Sequence, residues 1–170
     1  IARLVGSEMC IRDRPYTSAL SALTDEEKNQ GSVCIDIGAG TTSISVFIDG
    51  SIVYAKSLNL GGWYITNDIS KELNTPFDQA EALKTLYGSA LRGANDGEEI
   101  FQIPLIGGND ENRLSFSRSK LISIIKPRFW EILMHSKKCI EQSGYRDISN
   151  KNTIITCLLY TSDAADELSC

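Results

Sequence analysis

The sequence has little of what most catalytic centres are built from. Its 170 residues include one histidine, His135, which leaves few ways to assemble a Ser-His-Asp or Cys-His site. Five cysteines are present without a C-x-x-C pair or other metal-type spacing, so no zinc site is indicated. Positive charge is short as well. Seventeen Lys and Arg stand against 22 Asp and Glu, for a net charge of -5 and a pI of about 4.9. That balance gives no electrostatic footprint for nucleic acid. No apolar run approaches the roughly 20 residues that cross a bilayer, and the start has no charged segment followed by an apolar one. These absences predict a cytoplasmic protein with no nucleic acid among its partners. What remains is ordinary globular material, 42% hydrophobic and 23% charged, with enough apolar surface for a core.

Neither end reads as part of a fold. Residues 1–14 (IARLVGSEMCIRDR) and 157–170 (CLLYTSDAADELSC) carry no sustained helix or strand period. The strings SEMCIRDR and CLLYTSDAADE resemble translated sequencing-adapter sequence, so both ends are expected to be non-native flanks around a folding segment at 15–156. Cys34 and Cys139 are the cysteines inside that segment, and the expectation for them is reduced thiols packed as small hydrophobes.

Along the segment, Ala19, Leu20, Ala22 and Leu23 fall at helical spacing after Pro15, and Thr24 with Glu27 has the form of a capping box. A further helical turn should end near Gly31. Val33 to Ile37 is a short β-branched run, Ser43 to Ile48 alternates polar with apolar, and Asp49-Gly50 before Ile52 to Leu58 is a type I′ hairpin signal. Residues 33–58 are therefore predicted to form a three-stranded antiparallel meander. After Gly61-Gly62, Ile65, Ile69 and Leu73 mark one helix face that ends at Asn74. Thr75-Pro76 reads as N-cap and first position of the next helix, which is interrupted at Gly88. Residues 92–112, rich in Gly, Asn and Asp, flank one apolar run from Ile100 to Ile106, a small β piece. From Ser119 a long helical stripe of Leu121, Ile122, Ile125, Phe129, Ile132, Leu133 and Ile140 runs to Gly144, with Pro127 starting a new segment or kinking the old one. Trp63 and Trp130 read as packing residues. A last strand begins at Thr153 to Thr156.

The richest chemical signal is Asp36-Ile37-Gly38-Ala39-Gly40-Thr41-Thr42. A carboxylate at a strand end, followed by two glycines and two hydroxyls, suits the phosphates of a nucleotide. Gly38 and Gly40 permit backbone angles that aim N–H groups at anionic oxygens, Thr41 and Thr42 add hydroxyl donors, and Asp36 can hold Mg²⁺ directly or through water. A Walker loop is excluded, since it would need a lysine and would open a helix. The competing reading is a plain Gly-rich turn with a solvated aspartate. Glu81 and Lys84, three apart on a helix face, admit either a sugar and base contact or an exposed ion pair.

Four segments in one order carry a resemblance: IDIGAGTTSISVFIDG, LGGWYITNDIS, TPFDQAEALKTLYGSAL and SRSKLISIIKPRFWEIL. Together they resemble the FtsA family of bacterial cell-division proteins, within the actin and Hsp70 ATPase superfamily. The resemblance implies an α/β, actin-like ATPase fold of ribonuclease H-like type, in part. Most of subdomain 2A would lie at 15–75 and 117–156, with subdomain 2B inserted at about 76–116. It implies ATP and Mg²⁺ as ligands, with Asp36 as the Mg²⁺-linked aspartate, Gly38, Ala39, Gly40, Thr41 and Thr42 as the phosphate turn, and Glu81 and Lys84 as ribose and adenine contacts. Ala39 stands where the family usually has glycine, which a negative φ would accommodate. The implied protein is a filament-forming adaptor that tethers FtsZ to the inner face of the cytoplasmic membrane through a C-terminal helix, this chain being a truncated copy. A basic run containing Arg118, Lys120, Lys126 and Arg128 is the expected dock for the FtsZ C-terminal peptide, with Arg118 and Lys120 as contacts. Other members of the superfamily, an Hsp70-like chaperone, a pilus assembly ATPase or a sugar kinase, are the alternatives.

Overall fold

The computed structural model describes residues 19, 22–91, 99–104, 113–149 and 152–157. Residues 1–14 and 158–170 of the expected flanks, the expected helix start at Pro15, and residues 92–98 and 105–112 lie outside the described residues. In chain order the elements are α1 (Asp25–Gln30), β1 (Ser32–Ile37), β2 (Thr42–Ile48), β3 (Ser51–Leu58), α2 (Gly62–Leu73), α3 (Phe77–Tyr87), β4 (Ile100–Pro104), β5 (Arg113–Ser117), α4 (Arg118–Ser143), α5 (Arg146–Ser149) and β6 (Thr153–Cys157). They fall into two compact units, one running to Gly61 and resuming at Leu133, the other spanning Gly62–Ile132.

The first unit is built on a sheet of order β3-β2-β1-β6, antiparallel throughout except that β6 runs parallel to β1. Strands β1 and β2 are almost wholly buried, as expected of central strands rich in β-branched residues. Strand β3, at an edge, stays largely open to solvent. The β2–β3 connection is the predicted type I′ turn: Asp49 and Gly50 have φ of 49° and 73°. Behind the sheet, Ala19 and Leu23 pack with Cys34 and Phe47. The capping box of α1 is complete. The Thr24 amide donates to Glu27 Oε2 at 2.8 Å and the Glu27 amide to Thr24 Oγ1 at 3.3 Å. The Thr24 amide foremost, and the Thr24 hydroxyl, which donates to the same oxygen at 2.9 Å, hold the Glu27 carboxyl below its ordinary range. Strand β6 extends one residue past the expected boundary, with Cys157 opposite Ile37.

In the second unit, Ile65, Ile69 and Leu73 of α2 are buried on one face, as their four-residue spacing predicts. Helix α3 starts one residue later than expected, with Pro76 rather than Thr75 at the N-cap. Thr75 is buried and tied to the preceding helix instead: its amide donates to the Ser70 carbonyl, and Ser70 Oγ donates to its own carbonyl. Gly88 ends α3 outright. Its amide bonds the Lys84 carbonyl at 2.9 Å, and a Cβ there would sit 2.2 Å from that oxygen. Strand β5 is an addition to the sequence reading. It pairs antiparallel with β4, and Tyr87, Phe101 and Phe116 stack beside the pair at 4.3 and 5.8 Å.

Helix α4 runs unbroken through Pro127. Proline removes one rung of the ladder, and both Pro127 and Ser123, whose carbonyl loses its partner, lie on the exposed face where water can reach. Gly144, at φ 86°, closes it as predicted. The two tryptophans differ from expectation, for both stand about half exposed. The unit boundaries also fall elsewhere than the subdomain limits implied at 75/76 and 116/117, because α2 packs on α3 and joins the second unit.

Candidate functional site

The turn between β1 and β2 belongs to the first unit. Its Gly38 amide donates to the Thr41 carbonyl at 2.9 Å, and no other backbone hydrogen bond closes it among the described residues. The amides of Ala39, Gly40 and Thr41 are thus left by the turn itself. Ala39 and Gly40 are exposed and Thr41 is half-buried. None of Gly38, Ala39 and Gly40 has a positive φ, so the expected need for glycine's unusual angles is not met. Space is the reason at Gly38, where a Cβ would lie 3.1 Å from the Thr41 carbonyl oxygen; at Gly40 it would meet nothing within 4 Å. With its φ negative, Ala39 replaces a glycine without strain.

Asp36 sits at the strand end before this turn, opposite Ser43 on β2 and Thr156 on β6. It is 8% exposed, and its Oδ1 accepts a hydrogen bond from Thr156 Oγ1 at 3.1 Å. The carboxylate is therefore braced, not loosely solvated. Burial, and secondarily the Asp36 charge, push the Cys34 thiol up to about 11, which keeps it a neutral, packed group. One expectation needs correcting. Thr42 is fully buried and its hydroxyl donates to the Leu60 carbonyl at 2.7 Å, so its single proton is committed within the fold. Thr41 alone remains as a hydroxyl donor of the turn.

Leu60 leads to a residue that sequence reasoning passed over. A Cβ on Gly61 would lie 2.6 Å from the Gly38 carbonyl oxygen, 2.7 Å from that of Ala39 and 2.8 Å from the Gly40 carbonyl carbon. The chain after β3 therefore lies flat against the turn and braces it from behind. The signal was the Gly61-Gly62 pair, read only as a break between elements.

Glu81 and Lys84 belong to the second unit and are not the exposed pair that spacing allowed. Lys84 is 6% exposed, and its Nζ lies 2.7 Å from Glu81 Oε2, 2.8 Å from Thr66 Oγ1 and 3.4 Å from the Gly62 carbonyl. Thr66, fully buried, also donates to Glu81 Oε2. Sequence reasoning missed Thr66. The available clue was a hydroxyl on the otherwise apolar face of α2.

Arg118 and Lys120 are placed at the start of α4, in the second unit, where the basic run meets acids from elsewhere in the chain. Arg118 Nη1 lies 3.0 Å from Glu99 Oε2, and Lys120 Nζ lies 3.9 Å from Glu72 Oε2. Arg128 pairs with Asp68 at 2.7 and 3.3 Å and with Glu131. Its bond to Asp68 is the main cause raising it above its ordinary value. The unopposed basic patch read from sequence is thus largely neutralised. A groove of about 400 Å³ nevertheless opens here, lined by Lys71, Lys120, Arg128, Asp68 and Glu72 around Ile124 and Pro127.

The family model described as cell division protein FtsA matches residues 33–160. The cell division protein FtsA of Rhizobium meliloti (strain 1021) is 38% identical over 143 residues, covering 84% of this chain and 32% of that protein. The FtsA of Pseudomonas aeruginosa is 33% identical over 152 residues, covering 89% and 36%. The chain thus spans about a third of the length of the curated relatives it matches. Among solved structures, that of MreB5 of Spiroplasma citri bound to ADP is similar with a TM-score of 0.65 at 23% identity, over 83% of this chain and 46% of that one. The likeness establishes the actin-like α/β fold.

Proposed function

The chain belongs to the FtsA family of cell-division proteins, and on that premise we propose that it forms part of an ATP-binding adaptor that polymerises and holds FtsZ at the cytoplasmic face of the membrane. The single observation that carries the nucleotide reading is the Gly38–Thr41 turn: exposed, closed by one backbone bond, and backed by Gly61. The residues fit the ligand. Amides at Ala39, Gly40 and Thr41 and the Thr41 hydroxyl would bind phosphate oxygens, and Glu81 would take the hydroxyls of the sugar. Asp36 fits Mg²⁺ held through water, since one of its oxygens already accepts from Thr156 and little of it is exposed. No cluster of three or more His, Cys, Asp or Glu that could hold a metal is present among the described residues. ATP supplies the phosphoanhydride charge that such a turn recognises. No residue is assigned a catalytic role, and any ATPase activity is expected to be weak.

The broader alternatives, a chaperone, a pilus assembly ATPase or a sugar kinase, yield to the family match. No helix among the described residues is long and apolar enough to cross a membrane. Membrane attachment of the whole protein is assigned, from the family resemblance, to a C-terminal helix. FtsZ contact is assigned to the groove beside Lys120, with Arg118 close in sequence.

The nucleotide reading is tested by titrating the whole chain with Mg-ATP alongside the Gly40→Asp variant. A Cβ at residue 40 meets no atom within 4 Å, so the substitution is accommodated at its root while a carboxylate is brought to the phosphate-facing amides. Weak binding by the parent chain and none by the variant is the expected result. Equal binding by both would remove the turn from the site.

A further inference from the structure

Helix α4 treats its cations in two ways. Near its start three of them meet acids: Arg118 faces Glu99, Lys120 faces Glu72, and Arg128 holds both Asp68 and Glu131. Farther along, within the first unit, His135, Lys137 and Lys138 lie exposed, and the side chains of the three make no ion pair among the described residues. We propose that this face of α4 is a docking surface for an acidic peptide segment of a protein partner, with Lys137 and Lys138 taking its carboxylates and Met134 an apolar side chain between them.

The fold itself has no use for these two lysines. The helix buries its opposite face, where Ser136 is inaccessible, Ile140 nearly so and Cys139 only 7% exposed. Met134, Lys137, Lys138 and Glu141, at spacings of three and four, therefore share the outward face. The helix dipole does not account for the lysines, because it acts within the last turn and that turn contains no basic residue. The acid on their face is already engaged, for Glu141 lies 3.8 Å from Arg146. Two adjacent cations in a chain of net charge -5 thus repel each other without internal relief.

An apolar group completes the surface. Met134 is 56% exposed, and a recess of about 450 Å³ opens beside it, lined by Met134, His135, Lys137, Lys138 and Glu141. An unbranched thioether adapts to side chains of varied shape. Cations beside an adaptable apolar group suit carboxylates that flank one apolar residue, since charge speeds encounter and the recess supplies affinity. An anionic membrane fits less well. Basic clusters that hold such membranes have about four to eight Lys or Arg, whereas this face has two, and a recess receives a protruding side chain better than a flat lipid surface.

The probes are a labelled peptide of glutamates around a single leucine and its twin with serine for leucine, titrated at low salt into the whole chain by fluorescence anisotropy. The parent should bind the leucine peptide more tightly than the twin. Lys137→Glu with Lys138→Glu should weaken that binding roughly tenfold, Met134→Ser should remove the preference for leucine, and Lys120→Glu, in the other unit, should leave the affinity nearly unchanged. An unaltered affinity in the double variant overturns the proposal. So does an equal loss with Lys120→Glu, which would mark unspecific attraction, or a leucine preference that survives Met134→Ser. If the double Glu variant does not fold by circular dichroism, Lys137→Ala with Lys138→Ala carries the test, a weakened affinity supporting the proposal and an unchanged one overturning it. Phosphatidylglycerol vesicles that bind the parent while the peptide does not would give the face to lipid. A dimer in sedimentation that the double variant abolishes, again without peptide binding, would give it to a second copy. Either result overturns the proposal, as does a parent chain that binds none of these probes.

Discussion

The two units gather their polar groups by different means. In the first, the turn after Asp36 offers main-chain amides, and its side chains contribute a methyl, a hydrogen and one hydroxyl. In the second, Thr66, Glu81 and Lys84 form a knot of side-chain bonds, and Arg128, Asp68 and Glu131 form another. A main-chain site depends on space around the backbone, whereas a side-chain site depends on the count of donors and acceptors. Each should therefore fail under a different kind of substitution.

The largest effect is expected where space is tightest. Gly61→Ala brings a methyl within 2.8 Å of three backbone atoms of the turn, none of which can rotate away. It should destabilise the chain by about 2–3 kcal/mol, the upper part of the range for overpacking, measured by urea denaturation. Gly40→Ala, in the turn itself, where a Cβ meets nothing within 4 Å, should cost far less. Similar losses at the two positions would mean that the turn is not braced by the chain behind it.

A middle-sized effect belongs to the side-chain unit. Reversing Arg118 and Lys120 to Glu should weaken binding of the FtsZ C-terminal peptide to the whole chain roughly tenfold, about 1.4 kcal/mol, with the loss shrinking at high salt. Both residues already face acids of their own chain, which limits the effect. Peptide affinity unchanged by the reversal would take these two residues out of the docking surface.

The smallest effect is a loss confined to alkaline pH. Cys34 titrates near 11 in the fold against an ordinary 9.0, so the folded state holds that proton more tightly. Its contribution to stability is complete below pH 9 and is lost as the pH rises through 11. Urea midpoints for the parent and Cys34→Ala, compared from pH 7 to 11, should keep a constant gap up to pH 9 and then converge. Curves that stay parallel to pH 11 would show that burial does not hold the thiol neutral.

The same contrast explains what could be read from the sequence. The meander from Val33 to Leu58 was legible because strand alternation and Asp49-Gly50 are local signals, and the turn because main-chain recognition needs small residues in a row. Thr66 was not. A hydroxyl on an apolar helix face looks alike whether it meets solvent or a lysine 18 residues on. Strand β5 was hidden for a related reason: Arg113–Ser117 is short, and its pairing with β4 is decided by a partner across a loop. The basic run of α4 was over-read because the acids that neutralise it, Asp68, Glu72 and Glu99, lie far upstream. The hydroxyl of Thr42 faces Leu60, a contact no local pattern announces.

On the proposed nucleotide reading the turn works through its backbone, so the exposed side chain at residue 39 is free to vary, and Ala39 is one such departure already in place. The tight point is Gly61, buried outside the phosphate turn, where a Cβ would lie within 2.8 Å of three backbone atoms. Purifying selection on this surface should therefore fall hardest on a residue that never touches a ligand, and a survey of variants that scored only the motif would overlook the position where the lineage has least room to move.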